Sequence, residues 1–196
     1  MKNGGEESER GGSFHPLSGR FRPAVLVLGN TFIAIAVPAA LALALRTPLV
    51  FPSLGPTAFL LFFTPELPTA SPRNVLCGHA IGIVCGYAAL WVTGLQHASS
   101  AMDHGVDGAR LLAAALSMAF TGALMILFDV VHSPAGATTL IISLGIITHP
   151  VQLLGMEAAV ALIVVLAIVI HRLRGIAYPL WSPRKCADTK KHQARK

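Results

Sequence analysis

The sequence predicts an all-α membrane protein: four full transmembrane helices plus two broken, half-helix elements, arranged as a 3+3 inverted repeat. Three observations carry that reading. First, hydrophobic residues make up 54% of the 196 positions and charged residues only 12%, where a soluble domain carries about 25% charged. Mean hydropathy is +0.65. Second, the net charge of +6 sits at the ends: residues 24–171 hold three Arg, no Lys and five Asp/Glu, a net of −2, while the last 25 residues contribute +7. A nucleic-acid groove needs basic residues on a folded face, so the pI near 9.7 does not indicate a nucleic-acid partner. Third, apolar stretches of membrane-spanning length recur, separated by two irregular ones.

The elements follow in order. Residues 1–23 contain Glu6, Glu7, Glu9 and several Gly without an apolar core, so they read as a disordered cytoplasmic arm and not as a signal peptide. A bilayer core of about 30 Å needs roughly 20 apolar residues as helix. Ala24–Leu45, Val75–Leu95, Ala109–Phe128 and Val151–His171 meet that need. The stretches 48–65 and 132–150 are apolar but open with Pro, Gly and Ser, so continuous helix is expected only in their second halves. They either cross with an unwound half or re-enter. Excess Lys and Arg mark cytoplasmic loops; Arg172, Arg174, Arg184 and Lys185 place the tail inside, and Arg20 and Arg22 place the N-terminus there too. Six crossings then put Arg73 inside and the loop with Asp103 and Asp107 outside, which fits better than four. Residues 172–196 form a basic cytoplasmic tail. Cys77, Cys85 and Cys186 form no CxxC or disulfide pattern.

The irregular stretches resemble each other. Ser53-Leu54-Gly55-Pro56-Thr57-Ala58 aligns with Pro134-Ala135-Gly136-Ala137-Thr138-Thr139, sharing Gly and Thr in register. Ala36, Ala40 and Ala44 in the first span match Ala115, Ala119 and Ala123, and Gly78, Gly82 and Gly86 form a similar ladder. Small residues at this spacing let helix backbones approach closely. The chain therefore divides into halves near 24–95 and 109–171, the second inverted relative to the first. The ladders suit subunit contacts as readily as internal packing, so a homo-oligomer stays open.

Paired interrupted segments at matching positions point to a transporter's binding site. Unwound backbone at membrane depth is tolerated where it lines a cavity or is buried in protein, and half-helix N-termini favour a small anion. In the second element Ser133 is the expected N-cap and Pro134 the first helical residue. Gly136 keeps the wall low, and Thr138 and Thr139 offer hydroxyls. In the first, Gly55 and Pro56 form the turn, with Ser53 and Thr57 as donors. Arg73 and Asn74 precede the third span; Arg73 either draws an anion into a vestibule or anchors at the headgroups. His79 and His132 are intramembrane histidines, costly enough to be functional by default. Asp129 and Glu157 read as interfacial acids near span ends, either of which could carry protons, and His149 as a helix-end residue. No HExxH, GxSxG or Walker loop is present, so neither an enzyme nor a bound cofactor or metal is expected.

Pro52-Ser53-Leu54-Gly55-Pro56-Thr57-Ala58, followed by Pro72-Arg73-Asn74-Val75-Leu76-Cys77-Gly78-His79, resembles the HPP family of small integral membrane proteins. His132-Ser133-Pro134-Ala135-Gly136-Ala137-Thr138 is similar to that family's naming motif, His-Pro-Pro-Ala-Gly-Ala-Thr, with Ser133 in place of its first proline. Members in cyanobacteria and chloroplasts are associated with nitrite transport, so the resemblance implies nitrite as a candidate substrate. The expectation is a bacterial inner-membrane transporter or channel for a small monovalent anion, partnered by the lipid bilayer. The anion would sit between residues 53–57 and 133–139, with Asn74 nearby, Arg73 drawing it in, and His79 or His132 donating a hydrogen bond or coupling a proton. The rival is a non-transporting scaffold or sensory subunit whose basic tail binds lipid or a soluble partner; its polar residues would be scattered.

Overall fold

The computed structural model describes residues 17–182, which form seven α-helices and one 3₁₀ turn, with no strand among them. The helices are α1 (Leu17–Leu45), α2 (Leu54–Phe63), α3 (Pro72–Val92), α4 (Ala101–His104), α5 (Gly108–Leu127), α6 (Ala135–Ser143) and α7 (Pro150–Leu173), with the 3₁₀ turn at Pro68–Ala70. Four of them, Phe21–Leu45 within α1, α3, α5 and α7, are long and apolar enough to cross a membrane. α2 and α6, at 10 and 9 residues, rise only about 15 Å, half a bilayer.

Several expectations change in detail. α1 begins at Leu17, so residues 17–23 continue the first span and are not a disordered arm. The start of the basic tail is also ordered: beyond α7, Tyr178 is 2% exposed and its hydroxyl donates to the Ala70 carbonyl. The rest of both termini, including Arg184, Lys185 and Cys186, lies outside the described residues. In the 132–150 stretch the helix takes the first half, not the second. Pro134, which has no N–H to lose, stands just before its first residue. Gly145, at φ +76°, ends it: the Ile146 N–H returns to the Ile141 carbonyl (3.0 Å) and the Gly145 N–H to Ile142 (2.8 Å), a Schellman closure that favours glycine.

Hydrogen bonds between helix ends define the direction of each pass. Arg73, at the start of α3, donates to the carbonyls of Phe128 and Asp129 at the end of α5 (2.9 Å each), so α3 and α5 are antiparallel. The Arg73 N–H donates to the Trp181 carbonyl (3.0 Å), bringing the end of α7 to this same, near end. His171 Nε2 donates to the Leu61 carbonyl (2.9 Å), so α2 also finishes there. At the far end, the Ala101 N–H reaches the Leu144 carbonyl (2.9 Å), fixing the end of α6, and Gly155 sits beside Pro48 and Leu49. The chain thus runs back and forth between the two ends, with α2 and α6 each covering about half the distance and running in opposite directions.

Packing explains which faces are buried. The Gly78, Gly82 and Gly86 ladder of α3 is the groove that receives α6. A Cβ on Gly82 would meet the Ala135 carbonyl oxygen at 2.8 Å, and one on Gly86 would meet the Thr139 oxygen at 2.9 Å. The alanine ladders do no such work within the chain: Ala40, Ala44, Ala115, Ala119 and Ala123 are exposed, and α5 buries Arg110, Ala113, Ser117 and Thr121 instead. The main core gathers Phe51, Leu54, Leu61, Met156, Val160 and Ile163 between α2 and α7.

Candidate functional site

The N-termini of α2 and α6 meet part-way along α3. Between them lies an open cleft of about 670 Å³, lined by Gly55, Pro56, Phe59 and Leu60 from α2 and by Ser133, Pro134 and Ala137 from the α6 entry. Pro56 has no N–H, and Gly55 donates its own to no group among the described residues. A Cβ on Gly55 would meet nothing within 4 Å, so this glycine leaves the cleft wall low without being required by packing.

Directly behind the cleft is a buried polar cluster. Thr57, His79, His132 and Thr138 are each 0% exposed. Thr57 Oγ1 is 2.9 Å from His79 Nε2 and 3.2 Å from His132 Nε2, and 2.9 Å from the Ser53 carbonyl. His79 Nδ1 is 2.7 Å from Thr138 Oγ1. His132 Nδ1 is 2.8 Å from the Thr69 carbonyl, and the two imidazole centroids are 5.0 Å apart. A carbonyl only accepts, so His132 carries its proton on Nδ1 and its neutral form accepts at Nε2. The donor there is the Thr57 hydroxyl. Thr57 oxygen in turn accepts from His79 Nε2–H, and His79 Nδ1 accepts from Thr138. The neutral network closes with each imidazole nitrogen satisfied.

The residues expected to form a site separate into three groups. Ser53, Thr57, His79, His132 and Thr138 come together; the Ser53 hydroxyl is fully buried and makes no hydrogen bond, and it caps nothing. Gly55 and Ser133 face the cleft; Ser133 is exposed and the α6 N-terminus has no side-chain cap. The remaining four support structure. Arg73 clamps the last carbonyls of α5. Asn74 is 2% exposed and donates to the Pro68 carbonyl (3.0 Å), steadying the turn that presents Thr69. Gly136 packs against Met118. Thr139 bonds the Ala135 carbonyl (3.1 Å) and lies 3.0 Å from Thr121 Oγ1, at the α3, α5 and α6 junction.

Sequence reasoning missed Thr69, which takes part through a backbone carbonyl that no side-chain pattern announces. It also missed Arg110, 3% exposed, whose guanidinium donates to the carbonyls of Ser143, Ala98 and Ser99 at 3.2, 3.3 and 2.6 Å. An unpaired Arg at a span start was the available signal. Tyr178 is a third: burial holds its phenol well above the usual range, so it stays a neutral donor to Ala70, next to Thr69.

The architecture is that of a multi-pass helical membrane protein with two opposed half-helices around a buried histidine pair. Residues 16–179 match the model of the family described as HPP, transmembrane region. The chain belongs to the HPP transmembrane family. No curated protein and no solved structure matches it.

Proposed function

We propose that this protein is a transporter or channel for a small monovalent anion, nitrite first, in a bacterial inner membrane with both termini cytoplasmic. We read residues 24–95 and 109–171 as an inverted repeat whose two half-helices form the anion site. The observation that carries this reading is the meeting of the α2 and α6 N-termini at one cleft, backed by the Thr57–His79–Thr138 cluster. Helix N-termini favour anions through unpaired N–H groups and the positive dipole end; at α6 the N–H groups of Ala135, Gly136 and Ala137 already bond to His132, Ser133 and Pro134, so there only the dipole acts. The free Gly55 N–H and the unspent, buried Ser53 hydroxyl are donors of the kind an anion needs. Convergence of the polar residues also favours a transporter over a scaffold, where each would be separately placed.

The repeat reading has its own support. Leu54 opens α2 and Ala135 opens α6, the register in which their sequences align, and the two helices run oppositely. Nitrite rests on the family resemblance and on size: a small planar anion suits a site made of hydroxyls and backbone dipoles. The experiment is flux into proteoliposomes. Purified protein is expected to move nitrite faster than empty vesicles, and Gly55→Leu, which fills the cleft, is expected to slow it without lowering melting temperature. Absence of nitrite, nitrate, formate and chloride flux would overturn the proposal.

A further inference from the structure

We propose that Thr57, His79 and His132 together hold one exchangeable proton, and that this proton travels with the anion so that transport is electroneutral. This rests on the anion-transport reading above and adds the ion that accompanies it.

The first ground is the inventory of charge. Residues 24–171 hold no Lys and only Arg46, Arg73 and Arg110. Arg46 follows the end of α1 and is exposed. Arg73 is held on the Phe128 and Asp129 carbonyls and Arg110 on those of Ser143, Ala98 and Ser99; both keep their charge, but neither lines the cleft. No fixed cation among the described residues bonds to the cluster or lines the cleft. α2 and α6 carry no titratable side chain. α3 adds Cys77, Cys85 and Tyr87, α5 only Arg110, and α7 Glu157, His171 and Arg172, of which His171 is tied to the Leu61 carbonyl and Arg172 is exposed at the helix end; Tyr178 is tied to Ala70. An anion leaving water for this site therefore needs a mobile positive charge, because burying an unpaired ion costs several kcal/mol even after relaxation.

The second ground is the geometry at Thr57. Its hydroxyl lies within hydrogen-bonding distance of three groups and has one proton to give. With His132 neutral, that proton goes to His132 Nε2. With His132 an imidazolium, Nε2–H donates to Thr57 oxygen instead, and the hydroxyl turns to the Ser53 carbonyl at 2.9 Å. His79 Nε2–H donates to the second lone pair in both states. Both charge states are satisfied without moving a heavy atom. Loading forms one N–H bond at His132 and breaks one O–H bond of hydronium, leaving water, as the anion enters; release breaks that N–H bond and re-forms hydronium on the other side. One negative and one positive charge cross together, and nothing is oxidised or reduced.

The test uses the full chain in liposomes with nitrite as probe and the membrane potential set by a potassium gradient and valinomycin. Uptake above that of empty vesicles is expected to be the same at 0 and at 100 mV inside-positive. A carrier of the bare anion would instead gain about fiftyfold in accumulation over 100 mV, and that result would overturn the inference while leaving the transport reading intact. If no anion moves at all, the transport reading itself fails. Thr57→Ser is expected to keep potential-independent uptake and Thr57→Val to lose it. A valine variant that behaves as wild type, or a folded serine variant that fails as valine does, would overturn the role given to this hydroxyl.

Discussion

Thr57 and Thr138 hold opposite nitrogens of the same imidazole: Thr57 lies 2.9 Å from His79 Nε2 and Thr138 lies 2.7 Å from Nδ1. Each is the fourth residue of its helix, and the two helices run in opposite directions. His79 therefore sits where the two half-helices make equivalent contacts, and its ring cannot turn without breaking both.

That arrangement gives the first prediction. Thr138→Val removes the donor to His79 Nδ1 and leaves a buried nitrogen unpaired, which costs about 1–3 kcal/mol. Thermal unfolding in detergent is expected to show a drop of that size, with anion flux reduced. Thr138→Ser keeps the hydroxyl and is expected to lose less on both measures. Equal behaviour of the two variants, or a serine variant worse than valine, would show that the hydroxyl is not the group that matters here.

A second prediction contrasts two glycines. At Gly82 a Cβ would lie 2.8 Å from the Ala135 oxygen and 2.9 Å from Thr139 Oγ1, and backbone of α6 cannot give way without opening the α3 interface. Overpacking of this kind costs about 1–3 kcal/mol. At Gly55 the same atom meets nothing within 4 Å. Gly82→Ala is thus expected to lower the melting temperature clearly and Gly55→Ala to leave it unchanged or slightly raised, since alanine is the better helix former.

Arg73 gives a third. Its guanidinium donates to two carbonyls where α5 ends on Asp129 at φ +52°, so it caps the backbone there. Arg73→Gln is expected to destabilise the protein by about 1–3 kcal/mol while the concentration of nitrite giving half-maximal flux stays within about twofold. A tenfold rise in that concentration at unchanged stability would return Arg73 to the role of an anion-attracting vestibule residue.

What the sequence disclosed follows a physical division. Long spans announce themselves by apolar length, so α3, α5 and α7 fall within a few residues of expectation. The register of the half-helices was legible as well, because Gly55 and Thr57 repeat as Gly136 and Thr138. Tertiary partners were not. Arg73 and Arg110 look like any span-end arginine until the carbonyls they cap are known, and Thr69 contributes only its backbone. The alanine ladders misled because spacing says that two faces can approach, not which faces do; Gly78, Gly82 and Gly86 met a partner helix, while Ala115, Ala119 and Ala123 did not.

The last prediction concerns Arg110 and Gly145 as a single device. α6 ends with its carbonyls at the negative end of a helix dipole, and Arg110 reaches across to donate to Ser143 as well as to Ala98 and Ser99 in the α3–α5 connection. Its own N–H is capped by the Asp107 carboxylate at 2.7 Å, which fixes the start of α5 beneath it. Gly145 makes room: a Cβ there would stand 2.5 Å from the guanidinium, and the backbone holds φ +76°. Arg110→Met leaves three carbonyls without their donor, and Arg110→Lys recovers only part because one ammonium does not reproduce the planar fork. Melting temperatures are expected to fall in the order wild type, lysine, methionine. Gly145→Ala both strains the left-handed turn and displaces the guanidinium, so it is expected to cost at least as much as lysine. The double variant Arg110→Met with Gly145→Ala should then fall short of the summed losses, because neighbours that share one contact are not additive. Strict additivity in the double-mutant cycle would show that the glycine serves the turn alone and that the arginine does not depend on it.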